Sequence, residues 1–98
     1  MNVISRRAIK EFALAHADAA DELDRWFAGA RRARWQSLAE VRQVFADADQ
    51  FKSLLIFNVR HNSYRLIAKV DYRSNLLMVK EFLTHKQYER GEWKKWAL

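Results

Sequence analysis

The sequence predicts an α+β fold: a small antiparallel sheet with two or three helices packed on one of its faces. Three observations carry this. Apolar residues recur at helical spacing up to Phe45, whereas beyond Lys52 they fall into runs rich in β-branched and aromatic residues. Those runs are separated by the short, turn-prone linkers His61-Asn62-Ser63 and Ser74-Asn75. The chain has 98 residues, 50 % of them hydrophobic and 13 % aromatic, which suits one bulky core and one domain spanning 1–98.

Each element has its own signals. Val3 and Ile4 are β-branched, and residues 1–4 read as a short opening strand. Ser5 is placed to cap a helix over 5–16, with Ile9, Phe12 and Ala13 on one stripe. Asp18 is placed to cap a second helix, with Asp21 and Glu22 in its first turn, where the macrodipole favours negative charge. Leu23, Trp26, Phe27 and Ala30 follow helical spacing and face the core. Arg31, Arg32 and Arg34 close this helix where the dipole favours their sign; an RNA or partner contact is their second reading. Ser37-Leu38-Ala39-Glu40 has capping-box spacing ahead of a short helix carrying Leu38, Val41, Val44 and Phe45. Residues 47–52 read as a polar connection. Strands follow over 54–60, 64–73 and 76–83 as a three-strand meander. From Tyr88 the tail places Trp93 and Trp96 at i, i+3, consistent with a short helix or an ordered arm. The order β-α-α-α-β-β-β implies helices covering one sheet face.

Composition removes several function classes. There is no cysteine, hence no disulfide scaffold, thiolate metal site or cysteine nucleophile. There is no proline, and the two glycines, Gly29 and Gly91, cannot form a glycine-rich phosphate loop. No apolar run approaches the roughly 20 residues of a membrane span. The opening Met1-Asn2-Val3-Ile4-Ser5-Arg6-Arg7 lacks the apolar region of a signal peptide, so a cytoplasmic protein is expected. The histidines are scattered, with no accompanying carboxylate cluster, so neither a metal nor a cofactor is expected. His16 and His61 read as structural or solvent-facing.

The formal charge of +6 is unevenly placed. Residues 1–49 hold 8 basic and 8 acidic side chains, whereas residues 50–98 hold 10 basic and 4 acidic ones. Such asymmetry suits a polyanionic partner, or simply a basic surface. Strand parity arranges this charge. Tyr64, Leu66, Ala68, Val70 and Tyr72 share the face expected to pack on the helices. Arg65, Ile67, Lys69, Asp71 and Arg73 share the other, which is expected to be open. In the next strand Leu77, Val79 and Leu83 take one parity and Met78, Lys80 and Phe82 the other, so Lys80 can join Arg65 and Lys69. A cationic face running toward His85 and Tyr88 suits RNA cleavage: guanidinium and ammonium groups stabilise the charge of the transition state, and an imidazole or phenol moves the proton. The plainer reading is an ordinary solvated face, with a surface histidine and a rim tyrosine.

Phe57-Asn58-Val59, then Asn62, then Tyr64-Arg65-Leu66-Ile67-Ala68-Lys69-Val70-Asp71-Tyr72, resembles the HigB-like toxins of the RelE superfamily. Thr84-His85, followed three residues later by Tyr88, resembles the same family, and the opening Val3-Ile4-Ser5 and the stretch 35–49 are similar too. The resemblance implies the toxin of a type II toxin–antitoxin pair. Such a toxin is an endoribonuclease acting on translated mRNA in the ribosomal A site, neutralised by a HigA-type helix-turn-helix antitoxin in a complex that represses its own operon. It implies that Arg65 and Lys69 bind phosphate and transition-state charge, and that His85 and Tyr88 transfer protons or stack on a base. Arg73, Lys80, Asn58 and Asn62 are then RNA-binding candidates. Lys80 stands where relatives commonly carry Arg, which keeps the charge but loses a bidentate grip. Glu81 replaces a residue usually apolar, Leu83 stands where a small residue usually precedes Thr84, and Arg90-Gly91 departs from the usual ending.

Two further readings stand beside the nuclease. One is a non-catalytic basic module that binds RNA or protein. The other, a DNA-binding regulator, is disfavoured because the basic half reads as strands and no recognition helix is evident.

Overall fold

The computed structural model describes residues 1–98. The elements run β1 (Asn2–Ile4), α1 (Arg6–Ala15), a 3-10 turn (Ala17–Ala19), α2 (Ala20–Arg32), α3 (Leu38–Val44), β2 (Asp49–Phe51), β3 (Leu54–Val59), β4 (Tyr64–Asp71), β5 (Leu76–Thr84), α4 (His85–Arg90) and a C-terminal 3-10 helix (Glu92–Ala97). The α+β architecture is as the sequence predicts. The meander β3-β4-β5 is the centre of a five-stranded sheet in the order β1-β5-β4-β3-β2. β1 joins parallel to β5, and the other pairs are antiparallel. No helix is long and apolar enough to cross a membrane.

β2 corrects the reading of 47–52 as a plain connection. Its three residues pair with β3, Phe51 lying opposite Leu54. Strand β4 ends at Asp71, so Arg73 belongs to the following turn rather than to the strand.

The helix starts differ from their sequence signals. Ser5 precedes α1 in the left-handed region (φ 79) and makes no side-chain cap, although its carbonyl accepts the Ala8 N–H at 2.9 Å. Asp18 lies in the 3-10 turn and does not cap α2. Its carboxylate accepts the Tyr64 hydroxyl, with both oxygens at 3.0 Å, and so ties the helical layer to β4. Ser37 does cap α3, its Oγ accepting the Glu40 N–H at 3.4 Å, while Glu40 reaches back to the Gln36 N–H instead of closing the box on Ser37. Val44 lies off the buried stripe and is exposed. Along α2 charge is segregated: Asp21 and Glu22 occupy the first turn, Arg31 and Arg32 the last. The Glu22 carboxylate accepts the Arg60 N–H at 2.9 Å.

The main core lies between helices and sheet. Leu23, Trp26 and Ala30 of α2 pack toward Phe57, Leu66 and Leu77 of the sheet, all essentially buried. Trp26 and Phe45 each meet the Phe57 ring edge-on, with centroids 5.3 Å apart. Burying a side chain of Phe57's or Leu66's size contributes about 1.5–3 kcal/mol.

The opposite sheet face is not open as expected. Leu54, Ile56 and Ile67 form a second, smaller core under Trp93, with Phe51, Leu83 and Tyr88 packed around it. α4 and the C-terminal 3-10 helix therefore cover part of this face, making a third layer. A β-bulge explains which β5 residues take part. Ile67 lies opposite Glu81 and Ala68 opposite Val79, leaving Lys80 without a partner. The bulge reverses parity beyond it. Phe82 joins Leu77 and Val79 in the main core, while Leu83 turns to the second core, contrary to strict alternation.

Candidate active site

The β3–β4 turn, the start of β4 and α4 meet at one end of the sheet. Arg60 and His61 hold the turn with positive φ (54 and 58). The His85 N–H donates to the Ser63 carbonyl at 3.0 Å and pins the start of α4 to this turn. Thr84 caps α4 with a full capping box: its Oγ1 accepts the Gln87 N–H at 3.2 Å, and the Gln87 side chain accepts the Thr84 N–H at 2.9 Å. Helix α4 thus begins at His85, ahead of Tyr88, where the tail was expected to turn helical. Gly91, in the left-handed region (φ 76), ends it and sends the chain back so that Trp93 covers the second core.

Arg65 is the centre of the site. It faces Asn58 on β3 and Leu83 on β5. Only 8 % of it is exposed, yet it has no carboxylate partner. Its Nη1 donates to the carbonyls of Asn62 and Tyr64, both at 3.1 Å, and Nη2 donates to Asn62 Oδ1 at 3.2 Å. A guanidinium stays charged in a protein, so this is a fixed, oriented and uncompensated cation. Its Cζ lies 5.0 Å from the centroid of Tyr88. The Tyr88 ring also stacks on Trp93 (5.1 Å, 10° between planes), and Trp93 Nε1 donates to the Tyr88 carbonyl at 2.9 Å.

His85 stands at the edge of this cluster with its side chain half exposed. Its Nδ1 lies 3.5 Å from Arg65 Nη2, and its Nε2 lies 2.9 Å from Glu89 Oε1, one turn further along α4. A guanidinium only donates, so the ring nitrogen toward Arg65 carries the lone pair. The proton of the neutral ring then sits on Nε2, aimed at Glu89. Glu89 and Arg65 thus approach the two ring nitrogens from opposite sides.

The structure therefore brings together Arg65, Asn62, Asn58, His85 and Tyr88. Three other sequence candidates lie elsewhere. Lys69 is about 13 Å further along β4 at the ordinary strand rise, and its Nζ donates to the Leu98 carbonyl. Lys80 occupies the bulge with its Nζ 5.2 Å from the Trp96 ring centroid. Arg73 is exposed in the β4–β5 turn, beyond the end of β4, which itself runs about 20 Å on from Arg65. Glu89 and Trp93 contact this cluster, and sequence reasoning missed both. The i, i+4 spacing of His85 and Glu89 was a usable signal once the helix was placed. No three His, Asp or Glu side chains converge as a metal-binding group.

Residues 19–91 match the model of a family described as HigB toxin, RelE-like toxic component of a toxin-antitoxin system. The chain belongs to the HigB toxin family. The matched stretch holds Arg65, Asn62, His85, Tyr88 and Glu89, so the whole cluster except the covering Trp93 falls within it. Among curated proteins, the mRNA interferase toxin HigB of Escherichia coli K12 is 28 % identical over 92 residues, covering 91 % of this chain and 88 % of that protein. The mRNA interferase HigB proteins of Escherichia coli O157:H7 and Shigella flexneri match to the same extent. The resemblance read from the Asn-x-Tyr-Arg-Leu and Thr-His-x-x-Tyr segments is borne out at family level. In this HigB-family chain those two segments are also spatial neighbours, joined through Arg65 and His85.

Proposed function

We propose that this HigB-family toxin is a metal-independent endoribonuclease that cleaves translated mRNA in the ribosomal A site by 2′-OH attack. The observation that carries this reading is the contact of Arg65, a buried cation without a counter-ion, with a His85 ring whose tautomer Glu89 sets. Arg65 holds the scissile phosphate and stabilises the charge that builds on it. Once the phosphate replaces His85 Nδ1 as the acceptor from Arg65, that nitrogen takes the proton of the ribose 2′-hydroxyl as the 2′-oxygen attacks phosphorus. The bond from phosphorus to the 5′-oxygen breaks, and that oxygen takes a proton from the Tyr88 hydroxyl. The products are a 2′,3′-cyclic phosphate and a 5′-hydroxyl end. Asn58 and Asn62 flank the phosphate position. The protein works in the cytoplasm, and a HigA-type helix-turn-helix antitoxin neutralises it.

The competing reading is a basic module that binds RNA or antitoxin and cuts nothing. The donors that Arg65 already gives to Asn62 and Tyr64 favour it, since they suit a purely structural arginine. Expression of the wild-type protein without antitoxin, followed by primer extension on a translated message, separates the two. Cuts bearing 2′,3′-cyclic phosphate ends that disappear in His85→Ala, with RNA affinity retained, support the nuclease. Normal growth with intact translated message overturns it.

A further inference from the structure

A second cationic cleft lies at the other end of the sheet. It opens where α1 starts, α2 ends and the β4–β5 turn meets β1. Arg6, Arg31, Arg32 and Arg34 line it together with Phe27 and Asn75; two adjoining cavities of ≈ 410 Å³ each share Phe27 and Arg31. All four arginines are exposed, and none forms an ion pair. Arg32 Nε donates to the Ala28 carbonyl at 3.2 Å, and the Arg6 guanidinium lies 5.1 Å from the Phe27 ring centroid.

Arg31 and Arg32 sit in the last turn of α2, where they answer the negative end of the helix. That accounts for two of the four. Arg6 comes from another helix and Arg34 from the chain beyond α2, and the macrodipole explains neither. The convergence of four like charges is unfavourable in the free protein and is relieved by an arriving anion.

We propose that this cleft is a second RNA site, gripping backbone phosphates at a distance from Arg65 and His85. Guanidinium forks match phosphate oxygens in pairs. The apolar part of the cleft is small, and Arg6 already lies on Phe27. A protein partner would need a larger apolar centre to anchor it, whereas phosphate contacts need only charge. Arg73, remote from His85, shares the β4–β5 turn with Asn75 and so adds its charge to this end. The site stands whether or not the protein cuts RNA.

The test titrates the full chain with a labelled uridine oligomer across a range of salt. Arg31→Gln/Arg34→Gln removes two phosphate contacts, which lowers the slope of log K against log salt by about 1.4 and weakens binding about tenfold at low salt. Its thermal midpoint stays near that of wild type. Arginine side-chain NMR on the wild-type protein, which needs no variant, shows Arg31 and Arg34 Nε–H resonances moving as RNA is added. An unchanged slope with unmoved resonances overturns the proposal. So does stronger binding at this cleft of an acidic peptide, or of duplex DNA, than of the RNA.

Discussion

His85 and Glu89 meet across one turn of α4, Nε2 to Oε1, at 2.9 Å, while the other ring nitrogen of His85 faces Arg65 at 3.5 Å. The carboxylate and the guanidinium act on opposite sides of one imidazole. Glu89→Gln keeps the shape and a hydrogen-bonding group but removes the charge that orients the ring. Its expected effect is a loss of kcat for RNA cleavage, smaller than that of His85→Ala, with KM and RNA affinity close to wild type. For His85→Ala the expected loss is about 10²–10⁴-fold, the usual range for removing a positioned proton carrier. Single-turnover cleavage and a binding titration on the same variants check both.

Arg65 has a structural role as well as a chemical one. Arg65→Ala strands the Asn62 carbonyl and side-chain oxygen, so the β3–β4 turn loosens along with the site. The expected destabilisation is about 1.5–3 kcal/mol, the range for hydrogen bonds involving a charged group. Arg65→Lys retains charge but not the fork, and recovers less cleavage than stability. Urea unfolding and cleavage assays on the two variants separate these effects.

Trp93 is 4 % exposed and covers Leu54, Ile56 and Ile67 while carrying the Tyr88 ring. Trp93→Ala is expected to cost about 3–5 kcal/mol, as for other large aromatic truncations in a core. Hydrogen exchange should rise first in α4, and activity should fall before the sheet unfolds on warming.

Tyr64 gives an alkaline signature. The Asp18 carboxylate accepts its hydroxyl proton and pushes its pKa up; burial and the Asp18 charge act in the same direction, and Arg60 opposes them. The folded state thus holds the phenol protonated more strongly than the unfolded chain does. The stabilisation is complete below the unfolded value of about 10 and is lost as pH rises through the higher folded value. Tyr64→Phe should lower stability at neutral pH and flatten its decline above pH ~10, which thermal melts across that window would show.

Much of the fold is legible because local signals and tertiary packing agree. Leu23, Trp26 and Ala30 have helical spacing and are buried as read; Ser37 caps as its spacing predicts. The illegible parts are long-range or irregular. Nothing in a period of two announces that Lys80 is skipped, and that single bulge exchanges Phe82 and Leu83 between faces. Three-residue β2 is too short to show a period. Alternation ran on through Tyr72 and carried Arg73 into a strand that ends at Asp71. The open cationic face was undone by Trp93, which returns from beyond Gly91 to cover Ile67. Arg65, His85 and Tyr88 stood out as candidates from their segments, whereas their mutual contact depends on a turn and a helix cap that only the folded chain displays.

The opposed charges at the two ends of α2 have a kinetic consequence. Carboxylates of Asp18 and Glu22 stand at the β3–β4 turn, while the arginines gather at the far end of the helix. An approaching polyanion is attracted to the arginine end of this helix and repelled by its carboxylate end. Encounter of RNA with the arginine cleft is therefore steered by charge, and the association rate, more than the residence time, should fall as added salt shortens the reach of that field.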